Sequence, residues 1–144
     1  MIKRFLIAWL VVFVVWFIGS QLVHGGLLHE DYGALPNLFR TEEEMMKRFP
    51  IMVLAYILLA GAFVWIYSRG ISEKPWLGQG LRFGVAVAFL GNITTYMIFY
   101  VVQPMPGSMV IKQIVFDSLL TVLLGVLVAF VYRRKHSQAI ALDR

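Results

Sequence analysis

Four long apolar stretches occupy most of the chain, and short polar connections separate them. The first stretch reads FLIAWLVVFVVWFIGSQLV and begins at Phe5. A helix needs roughly 20 mostly apolar residues to cross the hydrocarbon core of a bilayer. The pattern therefore predicts four membrane-spanning helices, at about residues 5–24, 49–68, 80–102 and 109–133. We expect an all-α fold, an integral membrane four-helix bundle with up-down topology, in a single transmembrane domain over residues 1–144.

The connection between the first two stretches is the longest, and it contains helix signals of its own. The Gly-Gly pair at 25–26 follows the first stretch and is expected to end its helix. The sequence TEEE at 41–44 matches a capping box, which predicts a helix that begins at Glu42. Pro50 lacks a backbone N–H and would bend such a helix. We therefore expect a short interfacial helix in this loop that bends into the second span.

Composition agrees with a membrane protein. The chain is 60% hydrophobic and has a mean hydropathy of +0.77, whereas soluble domains are roughly 45–50% apolar. It contains no cysteine, which excludes disulfides, thiolate metal sites and cysteine nucleophiles. The net charge of +5 does not indicate a nucleic-acid partner, because the basic residues flank the apolar stretches. The expected partner is the lipid bilayer.

The distribution of the 13 lysine and arginine residues predicts the orientation. Cytoplasmic connections of membrane proteins carry an excess of these residues. If both termini share a side, nine of the 13 lie on that side and four on the other. We therefore expect a multi-pass protein of the bacterial inner membrane with both termini in the cytoplasm. The nine residues are Lys3, Arg4, Arg69, Lys74, Arg82, Arg133, Arg134, Lys135 and Arg144.

A stripe of small residues marks the third stretch, where Gly80, Gly84 and Ala88 follow each other at four-residue spacing. Small residues at this spacing let two helix backbones approach closely in a membrane. Contact within the bundle is the preferred interpretation. The alternative is a homo-oligomer that forms through the same face.

Asp117 lies within the fourth stretch, where an ionisable group is costly and usually has a partner or a function. Four-residue spacing places it on one helix face with Gln113 and Thr121. Polar residues of the first and third stretches complete a set that we expect to converge near the outer surface. The predicted ligand-binding residues are Asp117, Asn92, Tyr96, Gln103, His24 and Gln21.

The segment HGGLLHEDYG at 24–33 raises the alternative of a metal site. Histidine pairs that bind zinc on a helix are closer in sequence, as in H-E-x-x-H, whereas His24 and His29 are five residues apart. A solvated loop is therefore the preferred interpretation, and no cofactor is predicted. The alternative is a site for zinc or another divalent ion formed by His24, His29, Glu30 and Asp31.

Three functions remain open, because the chain has no P-loop, GxGxxG, haem motif or Ser–His–Asp spacing. The first is binding or passage of a proton, a cation or a small lipid-like ligand in an outward-facing polar pocket. The second is a structural or accessory membrane subunit whose polar groups only hold helices together. The third is a metal-dependent membrane enzyme, which is less favoured because no catalytic residue can be assigned.

A short pattern spans the end of the first stretch and the following loop. It consists of a His-Gly-x-Leu-Leu run, a tyrosine and then an arginine before the second stretch, here His24, Gly25, Leu27, Leu28, Tyr32 and Arg40. With the proline-rich turn before the fourth stretch, this pattern resembles a family of small bacterial four-helix membrane proteins, a domain of unknown function. The resemblance implies a fold and a membrane location, and it supplies no catalytic residue.

Overall fold

The computed structural model describes residues 2–133, and the residues it describes form helices and connecting loops without a strand. Four helices are long and apolar enough to cross a membrane, as the sequence predicts. We number them helices 1 to 4: Ile2–Leu27, Glu42–Arg69, Trp76–Val102 and Gly107–Tyr132. Three residues that enter the predicted orientation, Arg134, Lys135 and Arg144, lie outside the described residues.

Helix 1 continues through the two glycines that were expected to end it. After the α-helical part Ile2–Gln21, a π-helical segment runs over Leu22–Leu27. Neither glycine adopts the positive φ that commonly ends a helix. The Leu28 N–H donates to the Val23 carbonyl at 2.9 Å, which keeps the wide turn hydrogen-bonded to its end. The prediction of a helix end at 25–26 is therefore wrong.

Helix 2 begins at Glu42, as the capping box predicts, and the Glu44 N–H donates to Thr41 Oγ1 at 3.4 Å. The helix then runs without interruption to Arg69, with Pro50 inside it. Proline removes one backbone bond, and the apolar helix on its C-terminal side continues nonetheless. No separate interfacial helix forms at 42–49, and the short helix of this loop is His29–Gly33 instead.

Helix 3 contains a second π-helical segment. Its α-helical parts, Trp76–Val87 and Thr94–Val102, flank a π-helical segment at Ala88–Ile93. Such a segment adds a residue to one turn and changes which side chains share a face. Asn92 lies in this segment, and His24 lies in the π-helical segment of helix 1.

Helices 3 and 4 form the closest helix pair, and they run in opposite directions. A Cβ built on Gly80 would lie 2.6 Å from the Gly125 carbonyl oxygen, and one on Gly84 would lie 2.6 Å from the Val122 Cα. Ala88 is buried as well. The predicted small-residue stripe therefore serves contact within the chain, and helix 4 covers the face that was considered for a homo-oligomer.

An apolar core fills the end of the bundle that is nearer the termini. Side chains of helices 1, 2 and 4 form it, among them Val12, Val64, Leu124 and Val128. Helices 2 and 3 do not pack closely along their length. They are in ring contact at this end, where Phe83 touches Phe63 and Tyr67 with centroids 4.6 and 5.2 Å apart. Towards the opposite end a cleft separates them.

Candidate functional site

Asp117 of helix 4 joins three helices at the end of the bundle opposite the termini. Its Oδ2 accepts a hydrogen bond from the Tyr96 hydroxyl of helix 3. The same oxygen lies 3.3 Å from His24 Nε2 of helix 1, and the Asp117 and His24 side chains are 12% and 29% exposed. The structure thus brings two of the predicted ligand-binding residues, Tyr96 and His24, to the carboxylate of a third, Asp117.

Asn92 ties helix 3 to helix 4 beside this carboxylate. Its Nδ2 donates to the Asp117 backbone carbonyl at 2.9 Å and to Thr121 Oγ1 at 2.8 Å. Thr121 in turn donates its hydroxyl proton to the same carbonyl at 2.8 Å. The amide nitrogen of Asn92 therefore holds the helices together, while its Oδ1 is left as an acceptor.

Tyr32 of the short helix is hydrogen-bonded to the His24 imidazole. The Tyr32 hydroxyl lies 2.7 Å from His24 Nδ1 and accepts a hydrogen bond from Gln113 Nε2 at 3.0 Å. Burial raises the pKa of Tyr32 above its ordinary value, so the phenol remains neutral and keeps its proton. A phenol that donates this proton to Nδ1 favours the imidazole tautomer with its N–H on Nε2, the nitrogen that faces Asp117.

The short helix His29–Gly33 covers this end of the site. Lys112 Nζ lies 2.8 and 3.0 Å from the two carboxylate oxygens of Asp31 and ties the short helix to helix 4. Leu28, just before it, is fully buried. Together with the bonds of Tyr32, these contacts place the segment as a cover over His24 and Asp117.

A cavity of about 200 Å³ opens beside Asp117 and His24. All four long helices contribute to its walls. Within it, the hydroxyls of Ser20 and Tyr56 are hydrogen-bonded to each other. The lining residues are Trp16, Ser20, His24, Ala55, Tyr56, Leu59, Asn92, Tyr96 and Asp117.

The cavity offers acceptors that the protein leaves unused. Both contacts to the Asp117 carboxylate fall on Oδ2. Among residues 2–133, Oδ1 of Asp117 and Oδ1 of Asn92 have no hydrogen-bond partner. A carboxylate oxygen and an amide oxygen can bind a cation or a hydrogen-bond donor such as a hydroxyl or an ammonium group.

Two predicted ligand-binding residues lie away from the cluster. Gln21 is exposed and reaches Met52 Sδ at 4.0 Å. Gln103 follows the last turn of helix 3 and is absent from the cavity walls. Both glutamines therefore lie outside the site: Gln21 is exposed on helix 1, and Gln103 has an extended backbone after helix 3 ends at Val102.

The four residues of the alternative metal site do not converge. His24 faces Asp117 and Tyr32, while Asp31 pairs with Lys112. His29 and Glu30 are exposed. Within residues 2–133, no group of three or more histidine, cysteine, aspartate or glutamate side chains is placed to hold a metal ion.

The sequence reasoning did not assign Tyr32, Tyr56 or Ser20 to the site. A usable signal existed for Ser20, which precedes His24 by four residues and follows Trp16 by four, so the three share one face of helix 1. The two tyrosines offered no such signal, because Tyr32 lies in the loop after the first apolar stretch and Tyr56 has only apolar residues three and four positions away.

A larger recess of about 640 Å³ lies at the opposite end of the bundle, under the connection between helices 2 and 3. Its polar side chains serve the connection itself, since the Gln79 amide bonds the backbone of Ser72 and Lys74. Among residues 2–133, it lacks a contact between titratable groups comparable to that of Asp117 with His24. The smaller cavity is therefore the candidate site.

Comparison with known proteins assigns no relative. No family model matches the chain, and neither a curated protein nor a solved structure matches it at a significant level.

Proposed function

We propose that this protein is a small membrane protein that binds a polar head group or a small cation in the cavity beside Asp117 and His24. The observation that carries the proposal is the state of the Asp117 carboxylate. Tyr96 and His24 hold one of its oxygens in place, while the other oxygen, beside a cavity, has no partner among residues 2–133. An ionisable group within a membrane-spanning helix is expected to have a partner or a function, and an oxygen beside a cavity can bind a donor.

Binding is favoured over passage across the membrane. Beyond Asp117, the described part of the bundle is closed by apolar side chains such as Val12, Phe63 and Leu124. Close contact between Gly84 and Val122 closes the helix 3 side. Within residues 2–133, a proton or an ion would meet mostly apolar side chains there, which replace its water poorly.

A purely structural role accounts for part of the cluster. The bonds of Asn92 to Thr121 and to the Asp117 carbonyl are helix-to-helix bonds of the usual kind. That role does not account for an unpaired carboxylate oxygen next to a cavity. A metal-dependent enzyme is less favoured, because the residues that would form its metal site do not converge.

The membrane arrangement belongs to the same proposal. We infer an up-down four-helix bundle in the bacterial inner membrane with both termini in the cytoplasm. Four sufficiently apolar helices and the excess of basic residues at the termini support it. The cavity and the short helix His29–Gly33 then lie towards the outer surface.

The experiment uses ethanolamine, which carries an ammonium and a hydroxyl group, as the probe. The protein is placed in phosphatidylcholine nanodiscs with isotope-labelled histidine, and the ring resonances of His24 are assigned by their loss in His24→Gln. We expect ethanolamine to shift these resonances. In Asp117→Asn the affinity should fall at least about tenfold, because hydrogen bonds to charged groups contribute about 1.5–3 kcal/mol.

The control is Glu30→Gln, which removes an exposed carboxylate outside the cavity and should leave the affinity unchanged. An equal affinity in the wild type and in Asp117→Asn would contradict the proposal, as would the absence of any shift at His24.

A further inference from the structure

The cavity beside Asp117 opens sideways, between helices 2 and 3. Ala55 and Leu59 of helix 2 line one wall, and Asn92 and Tyr96 of helix 3 line the other. The two helices do not pack closely along their length. Leu59 is 46% exposed although it lines the cavity, so the opening is at the side of the bundle.

The side opening leads onto apolar surface. On helix 3, Phe99 is in ring contact with Tyr96 at a centroid distance of 6.4 Å and is partly exposed. On helix 2, Ile51 and Leu58 are largely exposed. In a membrane this surface is in contact with hydrocarbon chains, so the mouth of the cavity faces the interior of the bilayer.

Access from the end of the bundle is more restricted. The Tyr32 hydroxyl bridges His24 and Gln113, and the Lys112–Asp31 pair holds the same short helix against helix 4. Gln113 is 3% exposed and Leu28 is fully buried beneath this cover. A molecule that arrives from water would have to displace these contacts, whereas one that arrives from the bilayer would not.

The volume of the cavity limits what it can hold. Sites for drug-sized ligands are typically about 300–1,000 Å³, and this cavity measures about 200 Å³. It therefore has room for a head group, and any chain attached to that group must lie outside, in the cleft between the two helices.

We propose that the ligand is a membrane-resident amphiphile with an amine or alcohol head and a hydrocarbon chain, which reaches the site laterally between helices 2 and 3. The head donates to Oδ1 of Asp117 and to Oδ1 of Asn92. The chain lies in the cleft against Leu59 and Phe99. This inference rests on the proposed function and adds the class of ligand and its route.

The test compares ethanolamine with N-dodecylethanolamine, which has the same head and a 12-carbon chain, in nanodiscs with the His24 resonances as readout. Concentrations of the dodecyl compound are expressed per lipid, so that simple partitioning into the bilayer is accounted for. We expect the dodecyl chain to lower the ligand concentration that gives a half-maximal shift of the His24 resonances at least tenfold. Ala55→Trp, which fills the mouth of the cavity, should abolish this gain.

The matched control is Leu54→Trp, which adds the same bulk to helix 2 at an exposed position that does not line the cavity. It should behave as the wild type does. Circular dichroism of both variants verifies that the helices are retained.

The outcomes separate this inference from the proposed function. Lateral access would be wrong if both compounds bind with the same affinity, or if the dodecyl compound keeps its higher affinity in Ala55→Trp. Either result would leave the proposed site in place. If neither compound shifts His24, the proposed function itself fails, and the inference fails with it.

Discussion

The sequence indicates that Asn92, a polar residue within an apolar helix, needs hydrogen-bond partners, but it does not indicate which ones. Its position in the third apolar stretch marked it as a residue that needs a partner. The partners are Thr121 Oγ1 and the Asp117 carbonyl, and neither could be inferred, because helix rotation depends on the π-helical segment at Ala88–Ile93.

Replacement of Asn92 by leucine tests its role in holding helices 3 and 4 together. The substitution removes both bonds and preserves the branched shape of the side chain. Helix-to-helix hydrogen bonds in membrane proteins contribute about 0.6 kcal/mol on average and up to about 1.7, so we expect the free energy of unfolding to fall by about 1 kcal/mol. Unfolding in mixed detergent micelles measures it.

The control for this prediction is Thr94→Val. The Thr94 hydroxyl bonds the Leu90 carbonyl of its own helix on an exposed face, so its loss should leave the interface unaffected. An equal loss of stability in both variants would indicate a change within helix 3 instead.

Tyr32 is one of three site residues that the sequence did not indicate, and its removal should have two effects. In Tyr32→Phe, His24 Nδ1 and the buried Gln113 amide both lose a partner. A buried polar group without a partner costs about 1–3 kcal/mol, so stability should fall by that amount. We expect the Tyr32 phenol to favour one imidazole tautomer. Nitrogen NMR of Tyr32→Phe should therefore also show a changed distribution of the proton between His24 Nδ1 and Nε2.

Tyr100→Phe provides the comparison, since its ring is exposed and its hydroxyl makes no hydrogen bond to the described residues. If the His24 nitrogen signals were identical in the wild type and in Tyr32→Phe, Tyr32 would not set the tautomer.

At the scale of elements, the apolar pattern located all four long helices, and the capping box located the beginning of helix 2 at Glu42. The helix ends were predicted less well. Helix 1 continues through two glycines to Leu27, and helix 2 contains Pro50. Both features are local breakers by propensity, and continued hydrogen bonding in a long helix overrides them.

Both π-helical segments contribute a residue to the cluster, His24 from helix 1 and Asn92 from helix 3. The polar pattern of the sequence groups Gln21 and Gln103 with this cluster, but the structure places both outside it. Gln103 follows the end of helix 3, where the backbone is extended, and Gln21 is exposed beside the buried Ser20.

The contact between helices 3 and 4 gives a prediction at this scale. A Cβ on Gly84 would lie 2.6 Å from the Val122 Cα and 3.0 Å from the Thr121 carbonyl oxygen, both backbone atoms that cannot turn away. We expect Gly84→Ala to lower the free energy of unfolding by about 1–3 kcal/mol, the usual cost of overpacking.

Gly78→Ala in the same helix is its control, because nothing lies within 4 Å of a Cβ built there. That variant should be neutral or more stable by up to about 1 kcal/mol, since alanine favours helices over glycine. A tolerated alanine at both positions would show that the helices are not in close contact.

For the whole molecule, the absence of native cysteines allows the inferred orientation to be tested with single introduced thiols. Glu42 and Glu73 are exposed, the first at the beginning of helix 2 and the second in the connection between helices 2 and 3. In intact cells, a membrane-impermeant maleimide should label Glu42→Cys. It should label Glu73→Cys only after the membrane is opened. The reverse pattern would invert the topology and place the cavity towards the cytoplasm.

The central claim is that the cavity beside Asp117 holds a ligand, and native mass spectrometry of protein released from nanodiscs tests it most directly. The protein is purified from its own membranes, and wild type, Asp117→Asn and Glu30→Gln are compared. We expect a bound small molecule of defined mass on the wild type and on Glu30→Gln, and its loss from Asp117→Asn with the helix content unchanged. A molecule retained equally by Asp117→Asn, or absent from all three proteins, would contradict the account.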